Sequence, residues 1–393
     1  MSYPSSAAKR CLRRVFVRGL AALSLAAGAA AHAEIHIGVT LSLTGPGASL
    51  GVPAENALKL WTGEMGGQKV RFTVLNDATD TINATKNTQK FISEDKVDLI
   101  IGSSVTPTSL AVVETAGQAG VPVISMAGGG AIVLPQDGPR KWAFKLSPTE
   151  QISVTMVIDH VLKMKGKTIA TISASNSYGE GFLKVVEQVA AAKGVKLVAT
   201  ERYAPTDLNV TAQVIKVMAA NPDAVYILSS GTPGALPQIE LANRGYKGAV
   251  YQTQGVANND FLRVGGKDLE GGYMTVAPVL VAEQLPDASA VKTPALDFVQ
   301  RFERKYGPGS RSLFAATMWD GLLIVQQAAA VALRKAPPGT PEFREALRDA
   351  IEGTREFVGS QGVFNMSPSD HNGVDQRAQV MVRIENGRWK LQP

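Results

Sequence analysis

Short apolar runs alternate with amphipathic segments along this chain, and this alternation constrains the fold more than any other feature. Four apolar runs predict strands in the first part, at residues 35–41, 70–75, 97–101 and 121–124. The segments between them predict helices at residues 56–64, 83–93 and 107–118. Strands that alternate with helices in this way are typical of a parallel sheet with crossover helices, so the predicted fold class is α/β.

The same order of elements recurs in the second part of the chain. Strands are predicted at residues 168–172, 196–200, 224–228 and 249–251, with helices that begin near Gly181, Asn209 and Pro233. Four landmark pairs stand about 125 to 128 residues apart, namely Gly51 with Gly179, Asp80 with Asp207, Asp98 with Asp223, and Pro107 with Pro233. The repeat predicts two doubly wound parallel-sheet lobes of similar design. The alternative is ordinary α/β spacing without a true repeat.

The last part of the chain follows a different pattern. It predicts long helices at residues 297–305 and 313–333 and alternating edge strands at residues 378–384 and 389–391. These elements must complete both lobes. We therefore predict an N-terminal lobe from residues 34–146 plus 277–361 and a C-terminal lobe from residues 147–276 plus 362–393. Crossings near Leu146, Val276 and Gly362 would form a hinge of several separate strands.

The first 33 residues have the pattern of a signal peptide. Five basic residues precede an apolar run at residues 19–31, and Ala31-His32-Ala33 is a small-x-small cleavage pattern. The alternative is a membrane anchor, but the apolar run is shorter than the roughly 20 residues that a spanning helix needs. Arg13-Arg14 resembles a twin-arginine export motif, although the usual flanking Ser is absent.

Charge and cysteine content exclude several classes of function. Five of the 40 basic residues lie in the signal segment, so the remaining ones nearly balance the 34 acidic residues. This balance gives no indication of a nucleic-acid partner. The single cysteine, Cys11, also lies in that segment, which leaves no disulfide or thiolate metal site for the exported chain. No nucleotide, cofactor or metal motif is present, so we predict no cofactor and no metal.

Two Thr-Pro pairs mark matched positions in the two predicted lobes. Thr106-Pro107 and Thr232-Pro233 each follow a strand and a Ser-rich turn that contains Ser104 or Gly231. Thr suits a helix N-cap and Pro suits the first helical position. Free N–H groups at a helix N-terminus favour an anion, so these turns could hold a carboxylate. The alternative is that each pair only caps its helix.

The other loops that follow strands are polar and rich in glycine. Residues 127–130 would let the backbone approach a ligand closely, and Tyr178 would offer a ring face and a hydroxyl. Residues 47–51 match the G-x-S-x-G pattern of a serine hydrolase. A catalytic triad would need His160 or His371 as the base, and the spacing points to neither. We therefore expect a binding protein rather than an enzyme.

The sequence resembles the type I periplasmic solute-binding proteins of the branched-chain amino-acid (Leu/Ile/Val-binding) group. The resemblance covers nearly the whole exported chain. Each of its motifs is weak by itself, but their order and spacing together are specific to this group. They stand at residues 37–39, 43–46, 75–77, 100–103, 120–125, 178–181 and 255–258. The resemblance implies two lobes that close around a small ligand, a periplasmic location, and a permease and ATPase of an ABC importer as partners. It also implies a monomer; a periplasmic sensor with the same fold is the alternative.

The resemblance also implies a set of ligand-binding residues. Thr106 and the backbone near Ala127 would hold a ligand carboxylate, and Tyr178 with the Gly231-Thr232 turn would contribute from the second lobe. The full set is Leu50, Ser104, Thr106, Ala127, Gly128, Gly129, Tyr178, Gly231, Thr232 and Gln254.

Two of these positions depart from the amino-acid binders. Gln254 matches a position that is acidic there and pairs with the ligand ammonium, and Gly129 matches a hydroxyl residue that assists it. A buried ammonium without a counter-charge costs several kcal/mol. We therefore expect a small carboxylate without an α-amino group, unless Glu150, Asp207 or Asp260 supplies the missing charge.

Overall fold

The first five strands form one parallel sheet in the order β2-β1-β3-β4-β5. A computed structural model of the chain describes residues 34–393. The strands are β1 (Ile35–Leu41), β2 (Val70–Asn76), β3 (Leu99–Gly102), β4 (Val123–Ser125) and β5 (Ala143–Lys145). Helices α1 (Ala48–Leu58), α2 (Thr81–Ser93) and α3 (Thr106–Gln118) connect the first four of them. Every residue of β1 is buried, as expected where helices cover both faces of a parallel sheet.

Seven strands form the second sheet, in the order β14-β13-β10-β9-β8-β6-β7. Its parallel part contains β6 (Thr168–Ala174), β7 (Lys196–Tyr203), β8 (Ala224–Leu228), β9 (Ala249–Gln252) and β10 (Tyr273–Val276). The helices of this part are α4 (Glu150–Lys163), α5 (Ser177–Lys193), α6 (Thr211–Ala219), α7 (Ala235–Asn243) and α8 (Asn259–Gly265). The predicted α/β fold with two doubly wound lobes is confirmed.

The last part of the chain completes both sheets. It contains helices α9 (Lys292–Tyr306), α10 (Leu313–Ala332) and α11 (Pro341–Glu352), then a small hairpin of β11 (Phe357–Val358) and β12 (Val363–Phe364). Strands β13 (Val380–Glu385) and β14 (Arg388–Leu391) add to the second sheet in antiparallel direction. Helix α10 packs against α1 and α11. It is long and apolar enough to cross a membrane, but 67% of its most apolar stretch is buried inside the protein.

The chain passes between the two sheets at three places. It leaves the first sheet after β5, leaves the second after β10, and returns to it between β12 and β13. The first two places lie near Leu146 and Val276, whereas the third lies between Phe364 and Val380, after the predicted crossing at Gly362. The short helical segment Pro278–Gln284 still contacts β14 of the second sheet, and Gln284 donates a hydrogen bond to the carbonyl oxygen of Trp389 at 2.9 Å. The exact residue limits of the lobes stay a prediction.

Most predicted elements lie within a few residues of the observed ones, but one helix was placed wrongly. The sequence predicts a helix at residues 56–64, whereas α1 spans Ala48–Leu58. Pro53 lies inside this helix, and because proline has no N–H, the carbonyl of Ser49 lacks its usual helical donor. The prediction began the helix after this proline. The signal peptide, anchor and twin-arginine predictions concern residues outside the described part of the chain.

Candidate functional site

A cavity lies where the carboxyl ends of strands from both sheets meet. The first sheet contributes loops after β3, β4 and β5, the second contributes loops after β6, β8 and β9, and α10 contributes its first residues. The lining residues are Ser104, Val105, Thr106, Ala127, Gly128, Ser147, Tyr178, Ser230, Gln254, Gly255, Leu313 and Phe314. None of them is acidic. This is the edge at which open parallel sheets place their ligands.

The cavity is narrow in this conformation. The centre of a water molecule can reach only about 10 Å³ of it, which is roughly the space that one bound water needs. A molecule of the size of an amino acid exceeds this space. Binding therefore requires that the two walls of the cavity separate first.

The N-terminus of α3 forms one wall of the cavity. Val105 stands at the N-cap position and makes no side-chain capping bond, so the prediction that Thr106 caps this helix is wrong by one residue. Thr106 is instead the first helical residue. Its Oγ1 accepts a hydrogen bond from the backbone N–H of Gly129 at 3.2 Å, which leaves its own O–H as a donor for the cavity. The uncapped N–H groups of α3 add further donors.

Position 129 must be a glycine because it lies so close to the Thr106 side chain. A Cβ atom at position 129 would stand only 2.5 Å from Thr106 Cγ2 and 2.7 Å from its Oγ1. A serine or threonine would therefore displace the Thr106 side chain. The second departure from the amino-acid binders thus follows from local packing.

Tyr178 forms the opposite wall from the first turn of α5. Asn176 caps this helix, since its Oδ1 accepts hydrogen bonds from the N–H groups of Tyr178 and Gly179. The Tyr178 ring lies beside Gly128, and its hydroxyl is buried near Gly255 without a hydrogen-bond partner among the described residues. Burial raises the pKa of this phenol, so the hydroxyl stays protonated and can donate.

Gln254 lies in a short helical turn after β9 and is almost fully buried. Its Nε2 donates to the carbonyl oxygen of Pro148 at 3.2 Å, and its Oε1 accepts from Nε2 of Gln379 at 2.5 Å. Gln379 in turn bonds with the hydroxyl of Ser153. Both ends of the Gln254 amide are therefore engaged.

A buried lysine lies beneath the cavity. Lys145 at the end of β5 is inaccessible to solvent, and its Nζ donates to the carbonyl oxygens of Ser147 (2.6 Å) and Pro148 (3.2 Å). Burial lowers the pKa of Lys145 to about 8, against the opposing influence of Glu150 and Asp370. At neutral pH a positive charge thus lies directly behind Ser147 in the wall of the cavity.

The structure brings together six of the ten residues expected to bind ligand, and places the other four elsewhere. Gly129 lies behind Thr106. Leu50 is fully buried in the hydrophobic core of the first lobe. Gly231 faces the backbone of Pro46 at the mouth of the cleft, and the neighbouring Thr232 does not reach the cavity.

Several lining residues were not identified from the sequence. Ser147 follows β5 and Ser230 follows β8, so their places after strands were a usable signal. Leu313 and Phe314 begin α10, which is distant in sequence from every other part of the wall. Their helical pattern predicts burial but not a position beside a ligand.

The three alternative carboxylates occupy different positions. Asp207 is exposed and accepts a hydrogen bond from the N–H of Ala204, while the partly exposed Asp260 pairs with Arg263. Glu150 is buried near the cavity, but its Oε1 accepts from the backbone N–H of Gly130 at 2.7 Å, and it does not line the wall.

The G-x-S-x-G segment shows no catalytic arrangement within residues 34–393. Ser49 Oγ is buried without a hydrogen-bond partner. His160 bonds with Tyr251, and both ring nitrogens of His371 are engaged, by Ala143 and Glu352. In the same range, no group of three or more His, Cys, Asp or Glu side chains could hold a metal ion.

Comparison with known proteins identifies relatives along the whole described chain. The periplasmic binding protein family matches residues 34–388. Leu/Ile/Val-binding protein homolog 7 of Brucella abortus (strain 2308) is 26% identical over 386 residues, which cover 92% of each chain. The crystal structure of an extracellular ligand-binding receptor from Rhodopseudomonas palustris HaA2 is 40% identical, covers 92% of this chain and 100% of that one, and superposes with a TM-score of 0.88.

Two more distant structures share the fold with different ligands. A branched-chain amino-acid transporter substrate-binding protein from Streptococcus pneumoniae, solved with isoleucine, is 20% identical (TM-score 0.76; 91% of this chain, 98% of that one). A solute-binding protein of an ABC transporter from R. palustris, solved with benzoate, is also 20% identical (TM-score 0.77; 91% and 95%). This fold accommodates acids with and without an amino group. The chain belongs to the periplasmic binding protein family, whose branched-chain amino-acid group it resembles in sequence and fold.

Proposed function

We propose that this protein captures a small carboxylate without an α-amino group in the cavity between its two lobes and delivers it to an ABC importer. The observation that carries the proposal is the composition of the cavity wall. It combines hydrogen-bond donors from both lobes, contains no acidic side chain, and lies at the ligand-binding edge of both sheets.

The donors favour an anion at the Thr106 end of the cavity. The free O–H of Thr106, the hydroxyl of Ser104 and the uncapped N-terminus of α3 converge there. A helix N-terminus attracts a carboxylate through its free N–H groups and its dipole. Lys145 adds a positive charge behind Ser147.

The remaining wall suits the apolar body of the ligand. Leu313, Phe314 and Val105 present hydrocarbon to the cavity, and the ring of Tyr178 faces it from the other lobe. Ligand pockets commonly combine such an apolar lining with a few placed polar groups. Leu50, which the resemblance placed among the ligand-binding residues, lies in the hydrophobic core instead.

Hinge motion is part of the proposal because the cavity is too small to admit a ligand as it stands. We propose that residues 34–146 with 277–361 move against residues 147–276 with 362–393 about the three crossings. Closure would bury the ligand and present both lobes together to a permease. The family relationship supports the importer as the partner, and it supports a role in binding rather than catalysis.

Thermal unfolding of residues 34–393 with a panel of small acids tests this function. The panel contains branched-chain and aromatic amino acids, their 2-keto analogues, and aromatic carboxylates such as benzoate. A ligand at about 100 times its Kd adds about 2.7 kcal/mol of stability, which raises the melting temperature measurably. We expect amine-free acids to stabilise the protein. Stabilisation by amino acids alone, or by no carboxylate, would contradict the proposal.

A further inference from the structure

Two buried glutamines and a backbone carbonyl form a chain of hydrogen bonds behind the cavity. Gln254 Nε2 donates to the Pro148 carbonyl, and Gln254 Oε1 accepts from Gln379 Nε2. A carbonyl oxygen can only accept, so the atom of Gln254 that faces Pro148 must be the amide nitrogen. Gln254 Oε1 therefore faces Gln379, which must present its own nitrogen. The Pro148 carbonyl thus identifies the nitrogen of each amide, and the bond from Gln379 holds Gln254 in that orientation.

This orientation decides what Gln254 offers to a ligand. Its oxygen is turned away toward Gln379, and its nitrogen has one N–H left after the bond to Pro148. The nitrogen borders the cavity, 3.8 Å from the place of a Cβ at Gly128. The unpartnered hydroxyl of Tyr178 lies on the same wall, and this residue is only 3% exposed. Two donors without partners among the described residues thus face one part of the cavity.

We propose that Gln379 is a positioning residue that holds the Gln254 amide with its N–H toward the cavity, so that the site selects ligands with a hydrogen-bond acceptor at that point over ligands with an ammonium. The inference rests on the proposed function and names the chemistry of the ligand beyond its carboxylate. The acceptor can be a keto oxygen, a hydroxyl or a second carboxylate oxygen. No carboxylate of the described chain lines the cavity to receive an ammonium there, so the desolvation of the ammonium would not be compensated.

Glu150 is a buried carboxylate that could receive an ammonium instead. It is 7% exposed, already accepts the N–H of Gly130, and does not line the cavity. A Glu150→Gln variant therefore leaves the preference for acceptors unchanged, whereas it would abolish amino-acid binding if Glu150 were the ammonium partner.

Isothermal titration with matched ligand pairs tests the inference. The pairs are 4-methyl-2-oxopentanoate with leucine and phenylpyruvate with phenylalanine, and the readout is the ratio of the two Kd values within a pair. In Gln379→Glu, the ionised carboxylate repels Gln254 Oε1 and attracts its nitrogen, so the Gln254 oxygen turns toward the cavity. We expect the preference for the keto acid to fall by about tenfold or more. The preference for the keto acid should recover at a pH low enough to protonate the introduced carboxylate. The protonated group can then donate a hydrogen bond to Gln254 as the glutamine does.

If the buried carboxylate of Gln379→Glu prevents folding, Gln379→Leu is the variant to measure instead. It removes the donor without adding charge, so Gln254 loses one restraint and the preference falls by a smaller factor. Gln238 supplies the matched control, because it is also a buried glutamine paired with another, Gln252, but lies outside the cavity. Gln238→Leu and Gln238→Glu should reduce stability and leave the ratio of Kd values unchanged.

The outcomes separate the two proposals. If keto acids bind and the ratio is the same in wild type, Gln379→Glu and Gln379→Leu, the role of Gln379 is wrong and the proposed function stands. If leucine and phenylalanine bind more tightly than their keto analogues in the wild type, the orientation of Gln254 is wrong. If no carboxylate of either kind binds, the proposed function fails and the inference fails with it.

Discussion

Among single residues, Thr106 bears most directly on recognition of the carboxylate. Its hydroxyl accepts from Gly129 and retains an O–H that can donate to a ligand. In the proposed function, the same side chain shapes the glycine loop and donates to the anion. Loss of the hydroxyl should affect both properties, and the two effects can be measured separately.

Thr106→Val should weaken carboxylate binding by about tenfold, because a donor to a charged acceptor contributes roughly 1.5 kcal/mol or more. It should also lower the free energy of unfolding by about 1 to 3 kcal/mol, since the buried N–H of Gly129 loses its acceptor. Titration calorimetry and urea unfolding measure the two quantities. Thr106→Ser keeps the hydroxyl and should retain most of the affinity and most of the stability. Loss in the Ser variant without loss in the Val variant would show that packing of the methyl group matters instead.

The charge of Lys145 should make carboxylate binding depend on pH. Its pKa is lowered to about 8 by burial, so the free protein carries this positive charge below pH 8 and loses it above. Glu150 and Asp370 are the acidic groups whose charges act on Lys145. We expect a constant affinity from about pH 6 to 7.5 and a decline above about pH 8. The Kd measured across this range and up to about pH 9.5 checks this, and in Lys145→Met the decline should disappear.

Among the elements, helix α10 connects the core of the first lobe with the cavity and with the third crossing. Its first residues line the cavity, and Asp320, two turns further along, accepts hydrogen bonds from the backbone N–H groups of Ser360 (2.8 Å) and Gln361 (3.1 Å). Asp320 is fully buried. This carboxylate therefore fixes the segment that leads to the third crossing.

Asp320→Ala should lower the free energy of unfolding by about 3 kcal/mol or more, because two buried N–H groups lose their acceptor. Burial raises the pKa of Asp320 from 3.8 to about 6, so the folded state binds its proton more tightly than the unfolded state. The stability contributed by this group therefore falls as pH rises from about 4 to 6. Asp320→Asn should be more destabilising relative to wild type at about pH 4 than at about pH 7. Urea unfolding at both pH values measures this, and an equal difference would contradict the assignment.

In the whole molecule, the proposed function requires that the two lobes separate before a ligand can enter. Gly231 of the second lobe lies against the first lobe, and the place of a Cβ at Gly231 is 3.6 Å from Ser49 Oγ. The described chain contains no cysteine. A pair of cysteines at these positions would therefore form a defined bond across the mouth of the cleft.

Ser49→Cys with Gly231→Cys should form a disulfide that prevents ligand exchange in the oxidised protein. Stopped-flow or filter-binding measurements should show ligand uptake only after reduction. Gly231 has a φ of +70°, and a Cβ there would stand 2.7 Å from the carbonyl oxygen of Pro46. A side chain at this position therefore strains the backbone and must displace Pro46, and Gly231→Ala provides the control for both effects. Normal ligand exchange in the oxidised double variant would contradict hinge motion at this edge.

The sequence by itself determined the two-lobed α/β fold and part of the site. Apolar runs such as 224–228 fix strands because burial on both faces of a parallel sheet demands continuous hydrophobic residues. Polar turns after those strands predicted Thr106 and Tyr178 as site residues, since the carboxyl ends of parallel strands meet at one edge. Gln254 was predicted from the resemblance to the amino-acid binders.

Only the tertiary structure decided which residues share the cavity. Leu313 and Phe314 reach it from a distant helix, while Leu50 points into the core. Gln379 meets Gln254 across 125 residues of chain. Periodicity reports local burial but carries no information about such contacts, because they depend on how the last part of the chain packs back on both lobes. The orientation of the Gln254 amide, and hence the chemistry it offers, follows from its contacts with both Pro148 and Gln379.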